Sequence, residues 1–107
     1  MDYERISNDQ FEEIMDGLFN LPVWLKIQTA SVTADILYEN FEFLSFQNGK
    51  WQFGRDDSET YEYDNLIISK DFVSSIHRNT FAPGLGAEQI CLSMCCGTTK
   101  LYVEYNY

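Results

Sequence analysis

Apolar and polar positions along this chain follow two rhythms, a helical one near the start and a period-two alternation over most of the rest. The helical rhythm runs through Phe11, Ile14, Met15, Leu18 and Phe19, spaced as one buried stripe. Ser7 and Gln10 just ahead of it form a capping-box signature, with Ile6 and Phe11 placed as a hydrophobic staple. Gly17 weakens the last turn and Asn20 and Pro22 stop it, so the pattern predicts a helix over about 7–20.

From Val23 to Tyr38 the rhythm changes. Val23, Leu25 and Ile27 alternate with polar or amphipathic neighbours, and so do Val32, Ala34, Ile36 and Tyr38, which predicts two strands with a bend near Ala30-Ser31. The next segment, about 41–54, carries Asn48-Gly49 between two apolar alternations, the signature of a two-residue type I′ hairpin. That turn would place Leu44 opposite Phe53 and Phe46 opposite Trp51, with these four on the core face and Phe43, Ser45, Lys50 and Gln52 on the other. Thr60 to Ile68 reads as a further strand, and Lys70-Asp71 as a turn into a short element at Phe72–Ile76. Asn79 to Ala87, with Pro83, Gly84 and Gly86, reads as a loop and the best candidate for a mobile segment. A second hairpin over about 88–107 turns at Gly97-Thr98, setting Met94 opposite Leu101, Leu92 opposite Val103 and Ile90 opposite Tyr105.

These elements fit a single domain over residues 1–107 of the α+β class, mainly antiparallel β. The expected architecture is an N-terminal helix packed on a strongly curved sheet or small open barrel of six to seven strands. No apolar run is long enough to span a membrane, and the start lacks a secretory pattern, so the expected setting is cytoplasmic. Cys91, Cys95 and Cys96 make a poor disulfide framework, which agrees with a reducing compartment.

Charge is what narrows function. Seventeen acidic against seven basic side chains leave a formal net charge of -10, which opposes direct binding to nucleic acid and favours a basic protein partner. The acidic residues concentrate in two places. Asp56, Asp57, Glu59, Glu62 and Asp64 are interleaved with Tyr61 and Tyr63, a spacing that imitates phosphates and adds stacking area. Asp9, Glu12, Glu13 and Asp16 form a second acidic face on the helix, largely off its apolar stripe. Both also read as ordinary solvated surface.

Other chemistry is thin. No EF-hand loop, zinc knuckle or glycine-rich phosphate loop is present, so neither a metal nor a cofactor is expected. His77 with the cysteines is the one candidate nucleophilic pair, and cysteine on a strand is more often a small apolar residue, so no catalytic residue is expected. The composition therefore suggests a small acidic, non-catalytic binding protein docking on a basic partner. An inhibitor of a nucleic-acid-handling enzyme, of the anti-defence or immunity type, is one such role. Two alternatives use other features: a small-ligand-binding β-barrel with an aromatic-lined pocket, and a subunit of a larger assembly held by strand edges or by Tyr102, Tyr105 and Tyr107.

Overall fold

The computed structural model describes residues 2–54, 66–82, 87–95 and 97–106. The chain is of the α+β class, and its described residues form one α-helix and nine strands in two antiparallel sheets. The strands are β1 (Asp2–Ile6), β2 (Val23–Gln28), β3 (Thr33–Tyr38), β4 (Phe43–Ser45) and β5 (Lys50–Phe53), followed by β6 (Leu66–Ser69), β7 (Val73–Ala82), β8 (Ala87–Met94) and β9 (Lys100–Asn106). Helix α1 (Asn8–Asp16) follows β1, and a single 3-10 turn at Lys70–Phe72 leads into β7. The six-stranded sheet runs β1-β7-β8-β9-β2-β3 and the three-stranded sheet β4-β5-β6. The mainly antiparallel architecture with the N-terminal helix packed on a sheet is as expected, and nine described strands in two sheets stand where six to seven in one curved sheet or open barrel were expected.

The start of α1 forms as its sequence dictates. Ser7 Oγ accepts from the Gln10 N–H at 3.1 Å, and Gln10 Oε1 accepts from the Ser7 N–H at 2.9 Å, satisfying two donors the helix leaves open. Its end comes earlier than expected. The helix stops at Asp16 with Gly17 as its cap, and Asn20 then takes a positive φ of 64° to redirect the chain. Phe19 therefore leaves the apolar stripe and stands exposed, while Phe11, Met15 and Leu18 are buried.

The two hairpins depart from their expected registers, with opposite consequences. At the first, Phe43 rather than Leu44 faces Phe53, a slip of one residue. The Gly49 N–H donates to the Phe46 carbonyl at 3.1 Å and the Phe46 N–H to the Lys50 carbonyl at 2.9 Å. Gly49 has a φ of 82°, whereas among the described residues the one non-glycine with positive φ is Asn20. Asn48 thus lacks the conformation of a type I′ turn, and the connection is a three-residue turn closed by a glycine bulge. An odd slip inverts a strand's faces. Phe43 points into the core, and Leu44 and Phe46 are 38% and 40% exposed.

At the second hairpin Leu92 faces Leu101 and Glu88 faces Tyr105, a slip of two, with residues 95–99 between the strands. An even slip keeps the faces, so Ile90, Leu92, Leu101, Val103 and Tyr105 are buried as expected. Of the loop expected from Asn79 to Ala87, residues 79–82 belong to β7 and Ala87 begins β8, while 83–86 lie outside the described residues. The pairing partner of β7 is β8, and β7 also accepts β1, whose strand character the sequence reading did not anticipate.

Cross-strand register orders the core face of the large sheet into three rows. One runs Ile6, Ile76, Leu92, Leu101, Ile27 and Ala34, and the next Glu4, Arg78, Ile90, Val103, Leu25 and Ile36. The third contains Thr80, Glu88, Tyr105, Val23 and Tyr38. The rows are apolar toward β9 and β2 but turn polar at the β1–β7 corner, where Glu4, Arg78, Thr80 and Glu88 meet. On the small sheet Phe43, Trp51 and Phe53 pack around Phe11 of α1, with ring centroids 4.8 to 6.1 Å from it. One cluster of buried residues joins both sheets and the helix.

Candidate functional site

The acidic face expected on α1 separates into two kinds of carboxylate. Asp9, Glu13 and Asp16 are exposed and, among the described residues, make no ion pair. Glu12 turns inward. Its Oε1 accepts from Trp51 Nε1 at 2.8 Å and from Ser45 Oγ at 2.8 Å, with Lys70 Nζ at 3.9 Å. The one-residue register slip creates this arrangement by bringing Ser45 onto the same face as Trp51. The hydrogen bond from Trp51, chiefly, holds the Glu12 carboxyl below its ordinary range, with Ser45 and Lys70 adding to it and partial burial opposing. Glu12 is thus a bracket between α1, β4 and β5.

The acidic run and its tyrosines, Asp56, Asp57, Glu59, Tyr61, Glu62, Tyr63 and Asp64, lie outside the described residues, as does the upstream part of the strand expected from Thr60.

A second carboxylate node occupies the polar corner of the large sheet. Glu88 is 3% exposed, the one buried charged residue in the described chain. Arg78 grips its Oε1 through Nη2 at 2.6 Å and Nε at 3.1 Å, and Thr80 Oγ1 donates to the same oxygen at 3.3 Å. The Tyr105 hydroxyl donates to Oε2 at 2.5 Å. A buried carboxylate is tolerated only with this kind of full partnership. The bond to Glu88 is also the main cause that raises the Arg78 guanidinium above its ordinary value, fixing it as a cation. Arg78 reaches outward as well, with Nη1 3.7 Å from Glu4.

Over this corner α1 leaves an open cleft of about 450 Å³. Its apolar wall is Ile6, Ile14 and Leu18; its polar wall is Glu4, Gln10, Glu13, Arg78 and Glu88, and Gly17 and Tyr105 complete it. Phe11, Phe41, Phe43, Trp51 and Phe53 fill the core, and Tyr105 alone of the chain's described aromatics borders the cleft. Tyr105 is buried, so it does not share an exposed tyrosine end with Tyr102.

The opposite face of the large sheet brings His77 directly across from Cys91, with Tyr102 on the far side of it. Cys91 is 8% exposed, and burial pushes its thiol above the ordinary range. A thiol held protonated in this way is not an activated nucleophile. Cys95 is exposed, and Cys96 lies outside the described residues. Among the described residues no three His, Cys, Asp or Glu side chains converge to hold a metal ion, and no helix is long and apolar enough to cross a membrane.

Glu88 and Arg78 escaped the sequence reading, yet a signal was present. Extending the Ile90, Leu92, Met94 alternation back by one step puts Glu88 on the core face, and Ile76 does the same for Arg78. Two opposite charges at inward positions of neighbouring strands are a pair in waiting. No family model matches the chain, and no curated protein or solved structure matches it either.

Proposed function

We propose that this chain is a small acidic, non-catalytic binding protein that docks on a basic surface of a partner protein. The observation that carries the reading is unneutralised negative charge. The chain has a net charge of -10, and the exposed carboxylates Asp9, Glu13 and Asp16 recur along α1 without a cation beside them among the described residues. Such a field accelerates encounter with a basic surface and repels nucleic acid. A nucleic-acid-handling enzyme supplies that kind of surface, and occupying it would inhibit the enzyme. In this reading Asp56, Asp57, Glu59, Glu62 and Asp64, with Tyr61 and Tyr63, form the main contact and the α1 face a second one. A cytoplasmic setting accords with the reduced thiol of Cys91.

The test is capture of partners from native lysate on the tagged chain, eluted with rising salt. A basic protein released by salt, and displaced by duplex nucleic acid, supports the reading. Asp56→Asn/Asp57→Asn/Glu59→Gln should then slow association and flatten its salt dependence. Unchanged affinity at low salt would refute the assignment of those carboxylates, and a salt-resistant partner would move the contact to an apolar surface.

A further inference from the structure

We infer that the cleft between α1 and the β1–β7 corner receives a single cationic side chain, arginine or lysine, from the basic partner; this rests on the docking reading above and gives it a specific seat. The argument is charge complementarity inside a preformed cavity. Three carboxylates, Glu4, Glu13 and Glu88, border the cleft against one cation, Arg78. Arg78 is already committed, since Nε and Nη2 are both spent on Glu88. Its pairing removes the anion site that a lone arginine would create; its Nη1 also lies 3.7 Å from Glu4, so two of the three negative charges remain in surplus, with Glu13 making no ion pair among the described residues.

The shape fits the same guest. Ile6, Ile14 and Leu18 offer an apolar wall for an aliphatic stem, while Glu4 and Glu13 receive the charged head. A volume of about 450 Å³ exceeds what one side chain fills, leaving room for the hydration that a charged head retains. Gly17 at the border makes the cleft testable. It has φ -71° and ψ -12°, ordinary helical values, and an added Cβ would meet only the Ile14 and Glu13 carbonyl oxygens, at 3.4 and 3.7 Å. A side chain is therefore accepted by the backbone at this border position of the cleft.

The experiment is an NMR titration of the full chain, at low salt, with N-acetyl-arginine methylamide. Inorganic phosphate and N-acetyl-alanine methylamide serve as comparison probes. Saturable shifts at Gly17, Leu18 and Arg78 are expected, on the order of millimolar affinity for so small a probe. Gly17→Leu should abolish them. Glu4→Gln/Glu13→Gln, which changes only exposed side chains, should weaken binding about fivefold and serves if Gly17→Leu does not fold. Undiminished binding in either folded variant, or a response to phosphate or the alanine probe in place of arginine, would overturn the inference. Failure of the probe alongside a salt-released basic partner would refute the cleft and leave the docking reading standing. Saturable binding at the cleft without any such partner would do the reverse.

Discussion

Replacing Glu12 tests the bracket that ties the helix to the small sheet. Trp51 is fully buried, and its indole N–H donates to Glu12 Oε1 at 2.8 Å. Glu12→Ala would leave that donor unsatisfied, which costs about 1–3 kcal/mol. Ser45 is exposed and can turn to water, and the partly exposed Lys70 at 3.9 Å contributes less than about 1 kcal/mol. The sum is about 1–4 kcal/mol. With a urea dependence of about 1.5 kcal/mol per molar, the unfolding midpoint should fall by about 0.7–2.7 M. Glu12→Gln keeps an acceptor but not its charge, and charge-assisted bonds are about twice as strong as neutral ones, so it should lose about 1 kcal/mol.

The assay is urea unfolding followed by tryptophan fluorescence, repeated in a Trp51→Phe background to complete a double-mutant cycle. Acid behaviour gives a second, signed check. The folded-state carboxyl of Glu12 is held below its unfolded value, so its contribution is complete above the ordinary carboxylate range and disappears as pH falls through the lowered value. The gap between wild type and Glu12→Gln should therefore be full at neutral pH and close in acid. A Glu12→Ala cost that is equally large in the Trp51→Phe background would refute the reasoning, because the indole bond would then carry none of it.

Three further outcomes follow from the geometry. Glu88→Ala removes the acceptor of Arg78 Nε and Nη2 and of the Tyr105 hydroxyl; breaking a buried pair costs about 3–5 kcal/mol, and the 35% exposure of the Arg78 side chain, with Glu4 nearby, reduces this to about 2–3 kcal/mol. Calorimetry should show a melting temperature lower by about 10–20 °C, and a change under about 4 °C would refute the role assigned to this node. Gly49→Ala should cost about 1–2 kcal/mol through backbone strain alone, since φ is 82° and an added Cβ would meet nothing closer than Lys70 Cε at 4.0 Å. A neutral result in urea unfolding would contradict the bulged turn. Alkylation of the native chain with iodoacetamide, mapped by mass spectrometry, should modify exposed Cys95 well before buried Cys91; equal rates would contradict the register that encloses Cys91.

How much of the molecule could be read beforehand depended on the range of the interactions involved. The cap at Ser7–Gln10 is local and was legible residue by residue, as was the two-strand reading of 23–38. The stripe at Phe11, Met15 and Leu18 was legible too, but its extension to Phe19 was not, because the chain turns away after Gly17 under contacts that helical spacing cannot express. The candidate site was less legible. Glu12 has the sequence context of a solvated helix face, and only the meeting of α1 with Ser45 and Trp51 makes it internal.

By itself the sequence determined element type and face wherever period-two patterning was unambiguous. It determined the acidic balance as well, since neither property depends on distant neighbours. Tertiary structure decided register, and with it the chemistry. A hairpin turn of two residues or three is separated by small local energies, so the choice falls to whichever face the rest of the chain can bury. Phe11 of the helix packs against Phe43, 5.8 Å away, and that contact is made across 32 residues of chain. The pairing of β7 with β8 joins Glu88 to Arg78 across ten residues, and the packing of α1 over that corner leaves the cleft between them and the helix.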